Sequence, residues 1–220
     1  MADLTVETAE LGHVFTALEL QEQCRAIVGG VAWPGKCEGF ALILSVTGER
    51  KGPYGVYLLA EVESPDLAEL IRQCDVLDGR YVPHWWVGDG QKPVAAKIMG
   101  EVVRAKVPVG VDSELVRGFR SLRRNFLLDD DGLYEYAIPM LKSLLLPEGR
   151  QLWLKGSRVC DYMSQIKAEE LPFLRRGDYP AIEALIYAVR EALDWIAIDR
   201  RPSQRVNALQ ERIRHDPMAF

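Results

Sequence analysis

Gly177-Asp178-Tyr179-Pro180-Ala181-Ile182-Glu183-Ala184-Leu185-Ile186-Tyr187-Ala188 is the stretch on which the reading of this 220-residue chain turns. Asp178 is placed to cap a helix whose first turn holds Pro180, where a missing amide hydrogen costs nothing. Apolar residues then recur at helical spacing, so a long final helix is expected over 180–198, ended by Arg200-Arg201-Pro202. Glu183 lies one turn in, flanked by Ile182, Leu185 and Ile186. A carboxylate on the apolar side of a helix needs a partner, because an unpaired buried charge is costly. A metal ion is one such partner. A place at the edge of the apolar stripe, within reach of water, is the plainer alternative.

Upstream of that helix the pattern alternates between strands and helices. Arg25–Trp33, Phe40–Thr47 and Val56–Val62 are rich in β-branched and other apolar residues and are separated by Pro34-Gly35-Lys36 and by Gly48–Pro53, which predicts three antiparallel strands. Ser64-Pro65-Asp66 opens a helix with Ser64 as N-cap and Leu67, Leu70, Ile71 and Cys74 on one face. His84-Trp85-Trp86-Val87 reads as a buried strand ended by Gly88-Asp89-Gly90, with a helix over 93–103 after it. A second helix is expected from Asp112 through Arg124, a mixed stretch over 134–146, a short strand at 151–154 and a helix over 157–170. The fold class that follows is α/β: a mixed sheet, three antiparallel strands and then parallel ones, flanked by helices. Residues 1–24 read as an amphipathic helical extension, 25–199 as the main domain and 200–220 as a polar tail.

With 48% hydrophobic residues the chain can bury a substantial core. No apolar run reaches the ~20 residues of a membrane span, so no membrane partner is expected. The acidic start, Met1–Glu7, lacks the regions of a signal peptide. Cys24, Cys37, Cys74 and Cys160 are too scattered for a zinc site, and reduced thiols in a cytoplasmic protein are the expectation. A net charge of −5 excludes a general nucleic-acid coat, but leaves room for a local basic groove. There is no Gly-rich phosphate loop ending in Gly-Lys-Ser/Thr, so neither ATP nor a translocating motor is expected.

In open sheets, chemistry collects where loops leave the strand ends. Asp89 stands at such an end between two glycines that leave space around its carboxylate, although a turn-forming Asp has the same sequence signature. Carboxylates from the first strand, Asp89 and Glu183 together would hold two hard divalent cations and activate water against a phosphodiester. The first-strand position facing that site is Ala32, which binds no metal.

The order of these strings resembles the nuclease domain of the phage terminase large subunit, a member of the RNase H-like superfamily. Gly29-Gly30-Val31-Ala32-Trp33 is similar to the family's first strand, where the family has Asp at the position of Ala32. Trp86–Pro93 is similar to its fourth-strand segment, which ends in a metal-binding Asp, here Asp89. Val109–Leu122 is similar to the following Ser-led helix, and Pro180–Ala188 to the motif His-Ala-x-Asp-Ala-Leu-x-Tyr. Gln151–Ile166 suits the strand and helix before that motif. The resemblance covers residues 25–195. It implies an RNase H-like fold, Mg or Mn as cofactor, DNA as partner and possible contacts with other phage or host proteins.

The resemblance also implies roles. Asp89 and Glu183 would be metal ligands and, with Asp178, catalytic residues. Pro180 replaces the motif's His and Glu183 its Asp. Ala32 replaces the Asp that bridges both metals in such nucleases, which argues for weak or absent activity. Glu38, Glu61 and Glu63 on neighbouring strands are poor substitutes, and a solvated sheet face explains them as well. Arg117, Arg120 and Arg124 fall on one face of the expected helix, where they would meet a phosphate backbone, and Arg175 and Arg176 precede Asp178. His84 reads as a structural or surface histidine rather than a general base. The expected function is a terminase-like metal-dependent DNA endonuclease or its catalytically degenerate relative. A non-catalytic DNA-binding or protein-interaction module on the same fold is the alternative, and an unrelated α/β protein with Asp89 and Glu183 far apart is a third.

Overall fold

Segments that are apolar at nearly every position form the centre of a sheet covered on both faces. A computed structural model describes residues 24–48, 54–90, 92–106, 118–122, 137–139, 141, 142, 144, 152–154, 157–175 and 177–200. The strands are β1 (Cys24–Ala32), β2 (Gly39–Gly48), β3 (Tyr54–Ser64), β4 (Trp85–Asp89), β5 (Gly118–Leu122) and β6 (Leu152–Trp153). The helices are α1 (Leu67–Tyr81), α2 (Pro93–Ala105), α3 (Arg158–Gln165) and α4 (Pro180–Arg200), with a 3-10 turn at Ala168–Phe173. The described residues between 137 and 144 are also helical. The expected helical extension lies almost wholly outside the described residues, and so does the polar tail after Arg200.

Sheet order is β5-β4-β1-β2-β3-β6. β1, β2 and β3 pair antiparallel, and β4 and β5 add parallel on the far side of β1. This is the expected mixed sheet, three antiparallel strands and then parallel ones, with β6 added parallel to β3 at Val56 and Tyr57.

Alternation along the strands sends each residue to one of two cores. Ala26, Val28, Ala32, Phe40, Leu42, Leu44 and Val87 face α4 and α3. Ile27, Val31, Ala41, Ile43 and Trp86 face α1 and α2. α4 is buried at every position from Ala181 to Val189, so it is an inner helix covered on all sides. Gly30 makes that depth possible: a Cβ there would be driven into the Ala184 carbonyl oxygen and the Ala188 methyl.

Two expectations are corrected. The N-cap of α1 is Asp66, whose Oδ1 accepts from Glu69 N at 2.8 Å, while the expected cap Ser64 accepts from Asp66 N at 3.1 Å. The expected helix through 112–124 is interrupted by β5, which puts Arg120 on a strand, while Arg117 and Arg124 lie outside the described residues. β5 satisfies the outer edge of β4 in register from Trp85↔Gly118 to Asp89↔Leu122. An unpaired strand edge demands partners for its amides and carbonyls, and that demand outweighs local helical spacing.

Candidate functional site at the ends of β1 and β4

The register of β1 and β4 pairs Val28 with Trp85 and Val31 with Gly88, so the next residues, Ala32 and Asp89, stand side by side. Alternation turns both toward α4, since Ala32 and Val87 belong to that core. Trp33 Nε1 donates to the Asp89 carbonyl at 3.0 Å and ties the two strand ends together.

α4 begins at the same rim. Cys37, in the β1–β2 turn, donates its thiol to the Asp178 carbonyl at 3.8 Å, and Ala184 packs over Gly30 two residues before Ala32. Asp178, Glu183 and Asp89 therefore stand at one end of the sheet. Asp178 does not cap α4 as its position in the sequence suggests. The first helical bonds run from Ile182 N and Glu183 N to the Tyr179 carbonyl, while Asp178 Oδ2 turns back to accept from Arg175 N at 2.6 Å.

Glu183 is 3% exposed, so the plainer reading of a water-facing edge residue is set aside. Its Oε1 accepts from the Gly177 amide, in a turn where Gly177 has φ +89°. The acid is thus held by the turn that leads into its own helix.

Two hard cations need several oxygen donors converging on them. Here β1 offers the 2% exposed Ala32 methyl, and one oxygen of Glu183 already accepts a backbone hydrogen. Among the described residues no three of His, Cys, Asp and Glu come together to hold a metal ion. The described residues do not fit a two-metal centre.

The acids of β3 do not fill the gap. Glu63 pairs across the sheet with Phe40, and Phe40 with Ala32, which puts Glu63 two strand spacings from Ala32, roughly 10 Å. Nor is this a solvated face. The Glu63 side chain is 9% exposed, bonded to Arg158 Nη1 and to the Tyr162 hydroxyl at 2.6 Å. The bond to Glu63, with burial adding to it, pushes the Tyr162 hydroxyl up to about 12.

Of the candidate nucleic-acid contacts, Arg117, Arg124 and Arg176 lie outside the described residues. Arg120 Nη1 lies 2.8 and 2.9 Å from the two carboxylate oxygens of Glu191, and its guanidinium stacks 4.1 Å from the Trp85 ring centroid. The exposed Arg175 folds its Nη1 back toward the Pro172 and Leu174 carbonyls. Two exposed cations at the rim escaped the sequence reading, Lys36 after β1 and Lys92 after β4. Their signal was position alone, in the turns that follow the two site strands. His84 is structural as expected, its Nδ1 accepting from Ile27 N at 3.2 Å.

No helix of the described residues is long and apolar enough to cross a membrane. No protein-family model matches the chain, and no curated protein matches it. Among solved structures it is similar to the large terminase nuclease domain from bacteriophage SPP1 with bound Mn, at 15% identity and a TM-score of 0.48, over 81% of this chain and 92% of that one. It is also similar to RuvC of Thermus thermophilus, at 13% identity and a TM-score of 0.40, over 78% of this chain and 94% of that one.

Proposed function

We propose that this chain is a degenerate nuclease-type domain that no longer hydrolyses phosphodiesters and instead contacts DNA at the rim formed by β1, β4 and the start of α4. The observation that carries the loss of chemistry is Ala32, buried beside Asp89 at the position where the resembling family has its bridging acid. The motif resemblance and the strand order support the nuclease ancestry. Exposed Lys36, Lys92 and Arg175 support a phosphate contact. The rim acids and the net charge of −5 keep that contact local.

The test uses the full chain with plasmid DNA in Mg2+ or Mn2+, and mobility shifts on a short duplex. The expected result is binding without cutting. Replacing Lys36 and Lys92 by Ala should make the salt dependence of binding shallower, by a slope change of about 2. Cutting that Asp89→Ala abolishes would establish a residual nuclease, the reading favoured by retention of Asp89 and Glu183 at one rim. A chain that neither cuts nor binds DNA sinks the DNA reading.

A further inference from the structure

Beyond the rim, a second site lies at the outer edge of β3. This strand has eleven residues, and among the described residues β6 pairs with it only at Val56 and Tyr57. Beside the stretch that β6 leaves uncovered is a cleft of about 300 Å3 bounded by Glu61, Val62, Glu63, Gln73 and Arg158. Its residues reach it from β3, from α1 and from the start of α3.

The hydrogen-bond inventory of the cleft is unbalanced. Glu63 uses both carboxylate oxygens, on Arg158 and on Tyr162. Glu61 Oε1 accepts from Arg158 N at 2.7 Å, but Glu61 Oε2 has no hydrogen-bond partner although the atom is shielded from solvent. Gln73 Nε2 donates to Glu69 Oε1 at 2.8 Å, which fixes the amide orientation and leaves Gln73 Oε1 equally buried and unbonded. Arg158, the cation that lines the cleft, is committed to Glu63. Two acceptors, one of them charged, therefore lack donors, and buried acceptors without donors are unfavourable until one arrives.

A divalent cation would need more oxygen ligands than these two, and no third ligand joins them among the described residues. A group with several N–H donors and a positive charge meets both needs at once. We infer that the cleft receives the guanidinium or ammonium of an Arg or Lys side chain from an extended partner segment lying along the β3 edge. Glu61 Oε2 and Gln73 Oε1 are its acceptors. The part of the β3 edge that no described residue pairs with offers backbone groups to the same segment, so main-chain pairing gives reach while the cation gives selectivity.

The probe is N-acetyl-arginine amide, whose charge is confined to the guanidinium, titrated into the 15N-labelled full chain and followed by amide shifts. Its neutral isostere, N-acetyl-citrulline amide, is the control. The expected result is saturable shifts at Glu61, Val62, Glu63 and Arg158, at least about tenfold weaker for the citrulline probe, as the loss of one charged hydrogen bond implies. Glu61→Gln, which keeps an oxygen for Arg158 N, should weaken binding similarly. Gln73→Met, which leaves the bonds of Arg158 to Glu61 and Glu63 in place, provides a second variant should the first disturb the fold. Absence of saturable shifts, equal response to citrulline, or unchanged binding in both variants would overturn the inference. These outcomes are independent of whether the rim binds DNA.

Discussion

Ala32 and Asp89 stand side by side at the ends of adjacent parallel strands, one a buried methyl and the other a carboxylate, both turned toward the final helix. An acid placed at Ala32 would set two like charges side by side in a sparsely hydrated place, which is unfavourable without a cation between them. Ala32→Asp should therefore lose about 3 kcal/mol of stability or more at neutral pH in metal-free buffer. Millimolar Mn2+ should raise its melting temperature while leaving the parent unchanged. Thermal unfolding with and without the ion decides this, and a parent stabilised as strongly as the variant would contradict the assigned loss of the metal centre.

The Glu183 carboxylate is predicted to be structural in this chain. Glu183→Ala removes the acceptor for the Gly177 amide inside a buried helix and should cost about 1–3 kcal/mol, with Glu183→Gln costing less because an acceptor oxygen remains. Urea denaturation of the two variants gives the ordering directly. Equal stability of Glu183→Ala and the parent would show that the Gly177 contact carries no weight.

Gly30→Ala should be among the most damaging small substitutions in the chain. The added methyl meets a backbone carbonyl as well as a side chain, so rotamer changes cannot relieve it. A loss of about 1–3 kcal/mol or more is expected. Ala188→Gly in the same background should recover little, because the Ala184 carbonyl remains in the way.

Alkaline stability should report the Glu63–Tyr162 bond. Tyr162 titrates near 12 in the folded protein instead of its ordinary 10, so its contribution is complete below pH 10 and falls as pH rises to 12. Between those values the unfolded chain has lost a proton that the folded chain keeps, which favours unfolding. Tyr162→Phe should show a flatter stability profile over that window, read by denaturation at stepped pH.

Arg120→Ala should lower stability more than it lowers DNA affinity, because its guanidinium lies between Glu191 and Trp85. Mobility shifts and urea melts on one preparation separate the two effects. A large affinity loss without a stability loss would return Arg120 to the DNA-contacting set.

Much of the sheet was legible because its strands are apolar on both faces and end in glycines or prolines. β5 was not, since Arg117, Arg120 and Arg124 imitate helical spacing. The deciding facts were the bare edge of β4 and the absence of a side chain at Gly118, where a Cβ would strike the Trp85 ring. Within the site, Ile182, Leu185 and Ile186 left Glu183 open between burial and a water-reaching edge, and its depth follows from the bare Gly30 that lets α4 sink onto the sheet. Its partner could not be foreseen, because the Gly177 amide is brought back only by the left-handed turn before the helix. The departure at Ala32 was visible in the sequence, whereas its consequence required the register that puts it beside Asp89. The β3 cleft gave no signal, as it joins residues from three elements far apart in the chain.

The depth of α4 also bears on how this protein is made. The sheet face formed by Phe40, Leu42 and Leu44 stays without its principal cover until residues 181–192 have been synthesised. At ribosomal speeds that is a delay on the order of ten seconds. Throughout it, a broad apolar surface faces solvent on the nascent chain, so chains truncated before Pro180 should be captured by chaperones or aggregate rather than fold to a smaller version of the domain.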